Sequence, residues 1–432
     1  SACLVGSEMC IRDSIGPDGE SRYDNLLKET VFASTETIRE QLGPDDWCVS
    51  VFRDNSGVVR FDGDHDICVK VETHNHTTAI SPYPGASTGS GGEIRDRLAG
   101  GQGSLPLAGT AVYMTPYSRV TNDRVWEEGF PKRKWLYQTP LDLLIKASNG
   151  ASDFGNKFGQ PLINGSLLTF EHKEQKIQLG YDKVIMLAGG VGAGIKNQAL
   201  KKKPKKDDLI VLLGGDNYRI GMGGAAVSSA NTGSFENTIE LNAVQRSNPE
   251  MQKRVANTIR ALVETGNNPI VSIHDHGAGG HLNCFSELVE EKGGTISLEN
   301  LPIGDPTLSA KEIIGNESQE RMGLIIAPED LPLIEKIAAR ERAPLYVVGT
   351  VRDEDGLALS SRNVYLNADE RKLAPLIFDT LAHCRAAIAC GFDNFLELES
   401  HARFKLIESG FLLDYFTILD AHTLAEINED TT

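Results

Sequence analysis

Two stretches of the chain concentrate charged and polar groups at spacings that suit chemistry. The first is Lys70-Val-Glu-Thr-His-Asn-His76, and the second, shortly after it, is Gly85-Ala-Ser-Thr-Gly-Ser-Gly-Gly-Glu-Ile-Arg-Asp96. At the strand period of two, Val69, Val71 and Thr73 share one face, while Lys70, Glu72, His74 and His76 share the other. A core-facing strand would not carry such a row, because unpartnered charges are costly to bury. The row therefore suits a charged ligand and a metal. Glu72 and Asp96 are hard oxygen ligands of the kind Mg²⁺ takes, with phosphate oxygens completing its shell. His74 is a candidate general base. The paired imidazoles also suit zinc, but no further His or Cys stands nearby at ligand spacing. The glycine-rich run reads as a loop offering backbone N–H groups to phosphate and closed by Glu93, Arg95 and Asp96. It is not a Walker A motif, since no Gly-Lys-Ser/Thr follows. Together the two stretches point to phosphate chemistry.

Further along, His274-Asp275-His276 ends an apolar run and opens a glycine-rich turn. A carboxylate at the C-terminal end of a strand commonly faces the ligand crevice of an α/β sheet, so Asp275 is a third candidate metal ligand. Helix capping by the same side chain is the alternative. The polar run Asn316–Arg321 precedes the apolar Leu324–Ala327 and reads as a loop.

The elements that must position these groups follow from periodicity. Tyr23–Glu40 is predicted helical, with strands at Trp47–Phe52 and Ile67–His76, then turn-rich chain to about Gly109. A helix is predicted over Leu141–Ser152, and a short strand at Val184–Leu187 running into Gly189–Gly194. Lys201-Lys-Lys-Pro-Lys-Lys206 reads as a solvated boundary loop. Beyond it a strand is predicted at Leu209–Leu213, a helix at Met251–Glu264, a strand at Ile270–His274 and a helix at Leu282–Glu290. This rhythm predicts mixed α/β layers, divided at about 23–200 and 206–350.

The net charge of −17 argues against general nucleic-acid binding. The seven cysteines form no C-x-x-C pairs, which fits a reducing, cytoplasmic setting. No apolar run reaches the length of a membrane span. Ser7–Ser14 resembles a translated sequencing adapter, so residues 1–22 are expected to be artefactual or disordered.

From Leu26 to Val351 the chain resembles the synthetase portion of phosphoribosylformylglycinamidine synthase, also called formylglycinamide ribonucleotide amidotransferase. Lys70–Ser81, Gly85–Asp96, Gly221–Ser229, Ser272–Val289 and Asn316–Arg321 carry the resemblance, in the family's order. It implies an α/β (α+β) fold of two domains, like that of aminoimidazole ribonucleotide synthetase. The implied activity is ATP-dependent amidation in purine biosynthesis: the formamide oxygen of formylglycinamide ribonucleotide is phosphorylated, and ammonia displaces the phosphate. By similarity His74 would be the proton acceptor, and Glu72, Asp96 and Asp275 would hold Mg²⁺. Lys70 would contact ATP, with Gly85, Thr88, Gly89, Ser90, Gly91 and Gly92 along its phosphates. Thr73, Asn75, His76, Arg95, Gln245, Glu317, Ser318 and Gln319 would meet the substrate.

The resemblance has limits. Thr77 stands where the family usually has proline. No Gly-x-Cys-x-Gly nucleophile elbow occurs, so ammonia is expected from a glutaminase domain or subunit outside this chain. A second, related synthetase half is not found either. The family's first domain tends to pair through its sheet, so a homodimer is expected to imitate the missing half. Related alternatives are an aminoimidazole ribonucleotide synthetase and an inactive binding scaffold.

The tail, 351–432, resembles instead the C-terminal part of pantothenate synthetase, through Val351–Leu366 and Asp414–Ile418. That resemblance predicts a small α+β fragment in which Ser360, Ser361 and Arg362 would grip ATP phosphates. The nucleotide-binding half of that family is not found, so pantothenate synthetase activity is not expected. A join at about Val351, with the adapter-like start, suggests a chimeric chain.

Overall fold

The computed structural model describes residues 12–16, 19–23, 25–121, 124–128, 130, 138–181, 184–224, 227, 236–245, 247–290, 292–318, 320–352, 366–389, 392, 394–413 and 415–418. Within the stretch expected to lie outside the fold, β1 (Arg12–Gly16) pairs antiparallel with β2 (Gly19–Tyr23). The chain forms two compact units. The first comprises Ser1–Lys202, Ile210–Leu288 and Ser297–Val348, and the second Lys203–Leu209, Val289–Ile296 and Gly349–Thr432.

In the first unit, α1 (Ala33–Leu42) follows a wider helical turn at Leu27–Phe32. A six-stranded sheet is then built from β3 (Cys48–Ser50), β4 (Gly57–Arg60), β5 (His65–Thr73), β6 (Leu105–Thr115), β7 (Leu162–Thr169) and β10 (Ile185–Ile195). The order is β3-β4-β5-β10-β6-β7, with the hairpin β8 (Glu171–Glu174) and β9 (Ile177–Gly180) beside it in sequence. Neighbours are antiparallel apart from β6 and β7.

One face of this sheet is covered by two helices, α3 (Pro82–Leu98) and α4 (Pro140–Phe158). Helix α4 starts where Thr139 caps the Asp142 N–H and Pro140 takes the first helical position, and it ends at Gly159. Its buried residues Leu143, Ala147, Ala151, Phe154 and Phe158 recur at helical spacing. Of these, Leu143, Ala147 and Ala151 meet Ala111, Tyr113, Met186 and Ala188 of the sheet in one apolar core. The opposite face is open, leaving Val69 47%, Val71 56% and Leu107 54% exposed.

The glycine-rich stretch is the main departure from the sequence reading. It is not a loop: α2 (Asn75–Ile80) and α3 (Pro82–Leu98) fill the region predicted to be turns. Glycine weakens an exposed helix by about 1 kcal/mol per residue, but here it permits close approach. A Cβ at Gly89 would lie 2.9 Å from His74 Cβ, and one at Gly91 would lie 2.8 Å from Phe154 Cζ. Strand β10 likewise runs through its glycines instead of ending at Leu187. A Cβ at Gly190 would fall 2.6 Å from both Arg97 Cζ and Glu93 Oε2. Those two side chains form a fully buried ion pair within α3, with Gln160 Nε2 donating to Glu93 Oε1 at 2.6 Å. Arg97 Nη1 donates to the Val191 carbonyl of β10, which ties the helix to the sheet.

The second sheet of this unit contains β12 (Ile270–Asp275), β14 (Met322–Ile326), β11 (Leu209–Leu213) and β15 (Leu345–Val351), in that order. Ile210–Leu213 and Leu324–Ile326 are buried throughout, the unbroken apolar pattern of strands covered on both faces. The covering helices are α5 (Pro249–Val263), α6 (Gly280–Leu288) and α7 (Leu331–Glu341). Helix α5 is capped by Asn248 on the Met251 N–H and buries Val255, Ile259, Leu262 and Val263.

In the second unit, β13 (Gly294–Ile296) pairs antiparallel with residues 349–351 at the end of β15. The tail's described part is helical, over Ala368–Leu373, Leu376–Ala389 and Phe395–Glu408. Cys384, Leu398, Ala402, Leu406 and Phe416 form its core. The strand expected at Asp414–Ile418 does not form over 415–418.

Candidate active site

The charged row of β5 faces α3, which runs antiparallel to it. Two strand residues advance about 6.6 Å and one helical turn about 5.4 Å, so successive row members meet successive turns. His74 faces Gly89, and Glu72 faces Gly92, where a Cβ would stand 3.5 Å from Glu72 Cγ. Lys70 meets Asp96, with Nζ 2.7 Å from Asp96 Oδ2 and 3.7 Å from Glu72 Oε2. The strand ends at Thr73, so His76 lies in α2, buried, and does not continue the row. Thr73 is exposed on the open face, away from the row. Asn75 accepts from the Met186 N–H at 2.9 Å and fixes the turn that holds His74.

Asp275, at the end of β12, completes the constellation from the second sheet. Its Oδ1 accepts from Asn55 Nδ2 at 2.9 Å and stands 3.4 Å from His274 Nδ1. The other nitrogen of His274 contacts Glu287 at 2.5 Å. Burial disfavours a charge on His274, but contacts with Cys284, Glu287 and Asp275 raise its pKa well above the ordinary value. No motif marks Asn55, and nothing local singles out Glu287 within Ser272–Val289; the tertiary contacts reveal both.

The electrostatics are those of crowded acids shared by two cations, Lys70 and Arg95. Burial, with Asp275 and Glu72 nearby, raises the Asp96 carboxyl well above its usual range against the pull of Lys70. Burial opposes a charge on Lys70, yet Asp96, Glu72 and Asp275 together hold its pKa above the ordinary value. Burial and the Arg95 guanidinium lower His74 to about 4, against an opposing contribution from the Gln245 amide. His74 Nε2 has no hydrogen-bond partner: Gln245 comes near without meeting bonding geometry. A neutral imidazole with a free nitrogen is the form able to take a proton.

Arg95 Nη1 donates to Gln252 Oε1 at 2.9 Å, and Gln252 in turn donates to the Gly91 carbonyl at 3.0 Å. Gln245 Nε2 donates to Glu317 Oε2 at 2.6 Å, and the Gly279 N–H donates to Glu317 Oε1 at 3.1 Å. Gly221, at φ +65°, packs against Glu317, where a Cβ would be 2.7 Å away. Gln245 also lines a cavity of about 500 Å³ with Ser81, Pro84, Arg219, Leu241 and Ser247. Behind it, Arg321 donates to His281 Nε2 at 2.8 Å, which fixes the tautomer whose Nδ1–H donates to His276 Nε2. Burial and Arg321 keep both imidazoles neutral.

Not every expected residue joins the site. Gly85, Thr88, Gly89, Ser90, Gly91 and Gly92 are buried inside α3, where main-chain N–H groups serve helical bonds, so no loop cradle for phosphate exists there. Thr88 Oγ1 donates to the Pro84 carbonyl at 2.6 Å. Ser318 Oγ turns inward to Asn316 Oδ1 at 3.1 Å. Gln319, Ser360, Ser361 and Arg362 lie outside the described residues. Among the described residues no three His, Cys, Asp or Glu side chains converge closely enough to cage an ion by themselves. The set still fits Mg²⁺ chemically, because that ion is usually held by one or two carboxylates with phosphates and waters. Glu72, Asp96 and Asp275 supply the acid side chains for such a site, with Lys70 and Arg95 the cations already in their field.

Comparison with known proteins agrees with this architecture. Residues 53–188 match the N-terminal domain of AIR synthase related proteins, and residues 205–361 match the C-terminal domain. Both domains of an AIR synthase related protein are present. Residues 330–432 match pantoate-beta-alanine ligase, overlapping the preceding match over 330–361. Thermotoga maritima PurL complexed with FGAR is similar at 28% identity and TM-score 0.57, covering 71% of this chain and 45% of that one. The same protein complexed with AMPPCP gives 26%, 0.51, 69% and 43%. PurLQS from Thermotoga maritima gives 27%, 0.51, 69% and 43%. The chain thus spans less than half the length of these relatives. No helix among the described residues is long and apolar enough to cross a membrane.

Proposed function

We propose that this chain is a synthetase half that uses ATP to convert the formamide of formylglycinamide ribonucleotide to an amidine with ammonia. The observation that carries the reading is the meeting of Lys70, Glu72 and Asp96 in one field with Asp275, from two sheets of one unit, with His74 one turn of α3 away. The likeness to PurL complexed with FGAR supports the substrate class, and the likeness to PurL complexed with AMPPCP supports the nucleotide.

In this reading Lys70 and Arg95 bind and orient phosphate. Glu72, Asp96 and Asp275 would hold Mg²⁺, which supplies neutralisation of phosphate charge when bound. His74, neutral to about 4, accepts a proton as nitrogen replaces oxygen. The substrate enters the cavity beside Gln245, whose amide reaches Glu317 and approaches His74. Ser81, Pro84, Arg219 and Leu241 form its walls with Gln245, and Asn75, His76 and Glu317 are assigned to contacts with the bound substrate. Helix α3 backs the site as a rigid, close-packed floor. Ammonia comes from a glutaminase domain or subunit, and the open face of the six-stranded sheet, with Val69, Val71 and Leu107, suits a second copy of this chain.

The test is ADP release by the purified chain with MgATP and ammonium chloride, with and without formylglycinamide ribonucleotide. Release that depends on the ribonucleotide, and that His74→Ala abolishes while MgATP binding persists, is the expected result. Release indifferent to the ribonucleotide, or retained in His74→Ala, contradicts the assignment.

A further inference from the structure

We propose that Lys70 is a resident counter-cation: its ammonium fills the place among Glu72, Asp96 and Asp275 that a divalent ion would take, so the metal enters only with the phosphates of a nucleotide. The inference rests on the reading of those three carboxylates as metal ligands.

The argument begins with charge. Lys70 Nζ sits 2.7 Å from Asp96 Oδ2 and 3.7 Å from Glu72 Oε2, on a side chain only 25% exposed. Asp275 contributes to the same field, which the buried Arg95 guanidinium shares, so Lys70, in direct contact with Asp96, and Arg95 together balance these acids. Asn55 engages Asp275 Oδ1 and holds that carboxylate in place. Glu72, Asp96 and Asp275 by themselves form no three-ligand cage for an ion.

Free Mg²⁺ would have to shed water to displace an ammonium already hydrogen-bonded there, and it dehydrates reluctantly. A nucleotide changes the balance. Its phosphates offer Lys70 a competing anion, and the flexible four-carbon stem of lysine lets the ammonium follow them. The carboxylates left behind then face the ion carried on those phosphates. The same residue therefore keeps bare ions out and greets the nucleotide. This ordering distinguishes the site from a cage that loads metal first.

The experiment is a titration of the full chain with Mn²⁺ alone, followed by the electron paramagnetic resonance signal of free Mn²⁺. Lys70→Met should bind Mn²⁺ more tightly than the unaltered chain, on the order of tenfold for one charge removed at this range. Lys70→Arg, which keeps the cation, should match the unaltered chain, and Lys70→Met/Asp96→Asn should lose the gain. Lys70→Gln serves if the methionine variant does not fold by circular dichroism. The proposal is overturned if removing the charge leaves Mn²⁺ affinity unchanged, if arginine raises it equally, or if the gain survives Asp96→Asn. A gain in Mn²⁺ affinity with no ribonucleotide-dependent ADP release would leave this proposal standing and remove the assigned reaction instead.

Discussion

Burial of a neutral His74 should make the fold sensitive to acid in a defined window. The ring's pKa is lowered from 6.5 to about 4. Between those values the unfolded chain binds a proton that the native site refuses. Stability rises with pH wherever the unfolded state holds more protons, so the contribution is intact above the unfolded value and is lost as pH falls toward the folded one. The gap corresponds to about 3 kcal/mol, at about 1.4 kcal/mol for each pH unit. Other buried groups titrate in the same range, so the comparison must be with His74→Gln, which removes only this ring. Urea denaturation followed by circular dichroism, repeated from about pH 7 to about pH 4, gives both stability curves. The unaltered chain should lose about 3 kcal/mol more than the variant over that span. Parallel curves would refute the claim that this ring is held neutral by burial and Arg95.

Three further outcomes follow from particular contacts. Gly190→Ala drives a methyl to 2.6 Å from the Arg97–Glu93 pair and should cost about 1–3 kcal/mol; an unchanged urea midpoint contradicts the close approach. Asn55→Ala removes the 2.9 Å bond to Asp275 and should weaken MgATP binding in calorimetry while lowering stability by only about 1 kcal/mol. Equal MgATP affinity would show that Asn55 does not hold the site. Val71→Asp puts a charge on the open sheet face, where Val71 is 56% exposed, and should convert a dimer to a monomer in sedimentation. A species of unchanged mass would remove that face as the pairing surface.

The sequence made some of this architecture legible and concealed the rest for physical reasons. Helix α5 and strands β11 and β12 were readable because apolar residues recur at one clear period and caps or turns bound them. The alternation in β5 correctly grouped Lys70 with Glu72, but a period of two cannot announce where a strand stops, and His76 belongs to α2. Glycine gave the misleading signal. In Gly85–Gly92 local propensity meant a loop, whereas at Gly85, Gly89 and Gly91, and at Gly190 in β10, tertiary packing uses glycine for contact too close for any Cβ. Asn55 carries no local mark at all. Its partner is remote in sequence, and only folding brings the two together. The candidate site was accordingly legible as a set of residue types and incomplete in the contacts that hold them.

The most direct test of the central claim follows the nitrogen. The chain is incubated with MgATP, formylglycinamide ribonucleotide and ¹⁵N-labelled ammonium chloride, and the product is examined by mass spectrometry. The account predicts a ribonucleotide in which oxygen has been replaced by one ¹⁵N, formed only with ATP and not by His74→Ala. Nucleotide and ribonucleotide that both bind a folded chain, with no label transferred, would contradict it and leave a binding surface without the reaction.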